Sequence, residues 1–112
     1  MKQRKHPRVP ASLPCTIRDA AGAESPFELV DLSEAGARIR CPSALNAMTE
    51  IQVAILLPAT RVGGPEDVRL DTRGVVVWSH EVGDHFDTGV FFPELDPATQ
   101  AALQAYVASA AV

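Results

Sequence analysis

Five residues are of types and at spacings that suit them to hold a planar, charged ligand. Arg4 and Arg8 stand four apart around Pro7, at the start of a chain of 112 residues. A guanidinium pairs with phosphate through its planar fork, meets the O6 and N7 edge of guanine in the same way, and stacks on a base. Lysine would do only the first. Asp31, Ser33 and Gly36 form a second group. A carboxylate accepts from the N1–H and exocyclic amine of guanine, and a hydroxyl bonds either base or phosphate. A glycine, lacking Cβ, lets a ligand approach the backbone. Each group also has a plain structural reading. The arginines make a solvated basic tail, and the second group makes a turn in which Asp and Ser bond nearby N–H groups while Gly36 supplies a positive φ. Read together, the two groups are complementary halves of one recognition chemistry.

Other polar and aromatic residues carry less. Arg38 and Arg40 add positive potential beside the turn and are assigned no contact. His6, His80 and His85 pair with no nucleophile in a recognisable arrangement and read as surface histidines, so no catalyst is expected. Cys15 and Cys41 lack CxxC spacing and any His or Cys cluster, which makes them small buried hydrophobes and gives no reason to expect a metal or an organic cofactor.

Charge sets the first group apart. Residues 1–8 hold four of the ten Lys and Arg and no acid, so the remaining 104 residues have six bases against fourteen acids, a charge of −8. A basic arm of residues 1–9 therefore leads an acidic body over 10–112. With a pI near 5.2, the body is unsuited to nucleic-acid polymers, which need bases spread over a face. An apolar fraction of 46% over one domain's length is ordinary globular composition. The chain opens on polar and proline-rich residues without an apolar leader or membrane span, so the expected compartment is the cytoplasm.

The elements that must position these groups are mostly strands. Alternating apolar residues mark Pro10–Asp19, with Pro14 suggesting an edge, then Phe27–Leu32 and Ala37–Cys41 on either side of the turn. Ile51–Leu57 is apolar on both sides and reads as central. Val68–Ser79 is long enough to bend at Gly74, and Phe86–Phe92 is the sixth strand. Pro58–Asp67 has no periodicity and reads as a surface loop. The period then changes: Asp96 is an N-cap, Pro97 the first helical residue, and Leu103, Tyr106, Val107 and Ala110 fall at helical spacing. Six short strands and a final helix favour a small antiparallel barrel whose mouth or side the helix covers.

At this point the residues resemble a known family. Arg4-x-x-x-Arg8 just before the first strand, followed by Asp31-x-Ser33-x-x-Gly36 between the second and third, is similar to the two-part ligand motif of the PilZ domain. The resemblance covers essentially the whole chain. It implies a mainly β fold, a six-stranded antiparallel β-barrel with a C-terminal α-helix, and a bacterial receptor for the second messenger cyclic di-GMP. Carried over, it makes Arg4 and Arg8 a clamp on phosphates and guanines, with Asp31 and Ser33 on the base edge and Gly36 keeping the turn open. Trp78 stands where some members place a ligand-facing aromatic, although a lone strand Trp is more often core. Gln3 departs from the arginine often found before the clamp, which leaves the ligand stoichiometry open.

The resemblance further implies an arm that orders over the ligand and so alters contact with an unidentified effector protein. The chain is expected to be a monomer or weak dimer. The alternative reading is an interaction adaptor on the same fold that binds no nucleotide, against which the arginine pair counts.

Overall fold

A computed structural model describes residues 9–11, 13–18 and 22–110, with the backbone alone at Pro14 and Ala110. Arg4 and Arg8, with Gln3 and the rest of the arm before Val9, lie outside the described residues. The chain runs β1 (Val9–Pro10), β2 (Pro14–Arg18), β3 (Glu24–Leu32), β4 (Gly36–Cys41), β5 (Glu50–Leu57), α1 (Ala59–Val62), β6 (Val68–Val82), β7 (His85–Phe91) and α2 (Pro97–Ala110). All pairings are antiparallel, in the order β3-β2-β5-β6-β7-β4, and β4 pairs back onto β3 to close a six-stranded barrel. The two-residue β1 adds to β3 outside this circuit.

Closure changes two expectations about edges. Instead of one strand over Pro10–Asp19, the chain leaves β1 and enters β2 as a separate strand with neighbours on both sides. Pro14 is tolerated because it is the first residue of β2, where its missing N–H costs the ladder nothing. In β5, Ile51, Val53, Ile55 and Leu57 are buried, whereas Gln52 and Leu56 face outward. The barrel interior is filled by such inward residues, including Leu29, Leu32, Ile39, Leu70 and Val76, and by both cysteines. Burial pushes the Cys15 thiol up to about 11, with the nearby Cys41 adding to the effect.

The helix forms as its sequence dictates. Asp96 Oδ1 accepts from the Thr99 backbone N–H at 2.7 Å, satisfying one of the orphan donors of the first turn. Leu103, Tyr106 and Val107 are buried, and α2 packs against α1 and β6. The stretch Pro58–Asp67 is less irregular than expected, since it contains α1. Asp67 Oδ1 accepts from Ala59 N–H at 2.8 Å and Gly63 closes the turn in the left-handed region at φ 73°. The Arg61 guanidinium stacks 4.2 Å from the centre of the Tyr106 ring and donates to Ser109 Oγ at 2.7 Å. This long-range contact is invisible to local periodicity. Among the described residues no helix is long and apolar enough to cross a membrane.

Candidate functional site

The turn after β3 is built by Ser33. Its backbone N–H donates to Gly36 O at 2.8 Å, and its hydroxyl accepts from the N–H groups of Ala35 and Gly36 at 3.1 and 3.2 Å. The hydroxyl also lies 3.3 Å from Gly36 O, and Ser33 is only 5% exposed. Its bonding capacity is largely spent on the turn. Gly36 is needed for a reason other than the positive φ expected, since it is absent from the residues with such a φ. A Cβ there would overlap the Val90 carbonyl, because β4 and β7 approach closely where Gly36 pairs with Phe91.

Asp31 owes its direction to a β-bulge. Between Leu29 and Asp31 the register with β4 shifts, so that Leu29 pairs with Ile39 and Asp31 with Arg38, leaving Val30 as the extra residue. Leu29 and Leu32 can then both point into the core, despite their odd spacing, and Asp31 turns to the outer face. There it is only 9% exposed. Its Oδ2 stands 3.1 Å from Arg38 Nε, an ion pair without hydrogen-bond alignment. Its Oδ1 is buried and has no hydrogen-bond partner among the described residues.

A second bulge re-aims Trp78. Val76 pairs with Val90, and Trp78, instead of Val77, pairs with Gly89. Val76 is fully buried and Ser79 lies within 3.5 Å of the buried Thr88 hydroxyl, so the intervening Trp78 faces outward, half-buried. Its indole lies against Gly89, where any Cβ would overlap the ring, and 5.1 Å from His80 at a 35° tilt. β6 passes from pairing with β5 to pairing with β7 at Val75, next to the bend expected at Gly74, and its register with β7 shifts just beyond.

Register now assembles these residues. Asp31 pairs with Arg38, Arg38 with Gly89, and Gly89 with Trp78, making one row across β3, β4, β7 and β6 on the outer face. The next row is Glu28, Arg40, Asp87 and His80. In it Arg40 lies 3.4 Å from Glu28 and 4.0 Å from Asp87, and His85 is 3.6 Å from Asp87. Arg40 is thus divided between two acids. At the open end of the first row, Val9 and Pro10 pair with Leu32 and Asp31, so the base of the arm is registered against the turn.

Sequence reasoning underrated two members of this row. Arg38 offered only its alternation, which shows a face but no partner. Gly89 did offer a signal, since an isolated glycine inside a strand often marks a close approach. Among the described residues no group of His, Cys, Asp and Glu is arranged to hold a metal ion.

The PilZ domain model matches residues 2–109, and the chain belongs to the PilZ domain family. Its fold is similar to the inhibitor of motility MotI/DgrA of Bacillus subtilis, with TM-score 0.80 and 17% identity over 96% of this chain and 51% of that one. It is also similar to the MrkH–c-di-GMP complex of K. pneumonia, with TM-score 0.72 and 15% identity over 96% of this chain and 51% of that one. A third similar structure is the PilZ domain of YcgR from Escherichia coli with c-di-GMP, with TM-score 0.70 and 16% identity over 98% and 92% of the two chains. The chain spans about half the length of the first two. No curated relative matches the sequence.

Proposed function

We propose that this chain is a bacterial receptor for cyclic di-GMP, held between the Arg4–Arg8 arm and the outer face that begins at Asp31. The observation that carries the reading is the pairing of Val9 and Pro10 with Leu32 and Asp31, which roots the arm beside a carboxylate whose Oδ1 has no partner among the described residues. The arginines would meet the two phosphates and the guanine O6 and N7 edges. Asp31 would accept from guanine N1–H and the exocyclic amine. Ser33 and Gly36 would contribute chiefly by holding the turn, consistent with the bonds the serine already makes. Trp78 offers an outward apolar surface three strands from Asp31 along the same row.

A phosphate charge about 4 Å from a guanidinium gains roughly 4 kcal/mol gross at an effective dielectric near 20, most of it offset by desolvation and ordering. Ordering the arm over the ligand would create a composite surface, and the output would be a changed contact with an effector protein. Calorimetry with cyclic di-GMP, cyclic di-AMP and GTP tests the reading. The wild type should prefer cyclic di-GMP, and Arg8→Ala should weaken it by on the order of 2–5 kcal/mol. No heat from any of the three with the wild type would instead favour a nucleotide-free adaptor.

A further inference from the structure

The Asp31–Arg38 pair is asymmetric. Oδ2 is engaged at 3.1 Å, whereas Oδ1 is buried and unpartnered among the described residues. An aspartate has three staggered wells about Cα–Cβ and a broad, nearly two-fold torsion about Cβ–Cγ, so nothing intrinsic keeps its carboxylate in one orientation. Arg38 is well suited to do so. Its backbone is fixed between Asp31 on β3 and Gly89 on β7, its side chain is 37% exposed, and its Nε stands beside the carboxylate. Ser33 is absorbed by the turn, and Arg40 by Glu28 and Asp87.

Resting on the receptor reading above, we propose that Arg38 is a positioning residue that sets guanine specificity through Asp31. By pairing with Oδ2 it fixes the orientation of the carboxylate that the base meets. Each carboxylate oxygen has more than one acceptor site, so Oδ2 retains capacity while paired, and the guanine N1–H and amine together meet an oriented acceptor edge. Adenine presents an acceptor at N1, which an oriented carboxylate rejects and a freely turning one rejects less sharply. Arg38 therefore acts on selectivity, as distinct from the general attraction of a cation for any phosphate.

The experiment compares the wild type, Arg38→Met and Arg38→Lys by calorimetry with cyclic di-GMP and cyclic di-AMP at one ionic strength. Arg38→Met should weaken cyclic di-GMP roughly tenfold or more and shift cyclic di-AMP by less than about threefold, the scale of a hydrogen bond to a charged group. Arg38→Lys should recover part of the loss, since it keeps the charge but not the fork. Equal loss for both ligands, or no loss, overturns the proposal. In the ligand-free protein, couplings across the Asp31 Cα–Cβ bond should report one rotamer in the wild type and averaging in Arg38→Met. An unaveraged Asp31 in that variant also overturns it. Should Arg38→Met fail to fold, Arg38→Gln takes its place. A wild type that binds neither dinucleotide overturns the receptor reading itself, and the couplings then decide the positioning role alone.

Discussion

Gly89 is where a single atom decides the geometry of the outer face. The Trp78 indole lies against its Cα, and the register makes the two residues direct partners across β6 and β7. Adding one methyl group forces either the ring or the strand to move, since both candidates for movement are already packed. Gly89→Ala should therefore cost about 1–3 kcal/mol in denaturant unfolding, as overpacking does. Indole emission should shift to the red as the ring leaves the sheet. Unchanged stability and emission would mean that the ring has another resting place. The same reasoning separates Gly36 from the positive-φ glycines: it is fixed by the approach of the Val90 carbonyl.

At the scale of the element, α2 depends on how its first turn is capped. Hydrogen bonds from Thr99, its backbone first, hold the Asp96 carboxyl below its ordinary value of 3.8. A carboxylate whose folded value is depressed stabilises the fold above the unfolded value, and that contribution is lost as pH falls through the folded one. Asp96→Ala should thus lower Tm near neutral pH, and the gap from wild type should narrow as pH drops below 3.8 in a series of thermal melts. A gap independent of pH would show that the cap works without its charge. Capping by Asp96, start at Pro97 and the buried positions of α2 were all legible in sequence, because caps and helical spacing are local properties. The short α1 was not. It contains four residues with none buried, and its Arg61 finds Tyr106 only once the barrel has brought the two helical segments together.

For the molecule as a whole, the barrel interior imposes a chemistry of its own. Cys15 is buried with its thiol raised from 9.0 to about 11, and Cys41 is raised as well, mainly by burial and opposed by a hydrogen bond with Thr88. Because the unfolded chain ionises these thiols first, stability is fully present below pH 9 and falls as pH rises from 9 towards 11. Replacing both cysteines with alanine should flatten this alkaline loss in denaturant titrations, while lowering stability at pH 7 through the cavities left behind. The native protein should also react slowly with thiol reagents at pH 8 and quickly once unfolded. Rapid reaction in the native state would place the thiols nearer solvent than the barrel wall allows.

Alternation in the sequence was enough to mark most of the strands and to favour a small antiparallel barrel, because inward and outward positions must differ in polarity along each strand, and helical spacing marked the final helix. The same local chemistry marked the turn that Ser33 builds, although Asp31 belongs to β3 and Gly36 to β4. Direction along the outer face needed tertiary structure. A strict period of two across β3 would have sent Asp31 inward with Leu29, and across β6 it would have sent Trp78 inward with Val76. The bulges at Val30 and Val77 reverse both. A bulge exists only relative to the strand opposite, so no single segment could announce it. Pairing across four strands is what sets Asp31, Arg38, Gly89 and Trp78 in one row, with the base of the arm at its end.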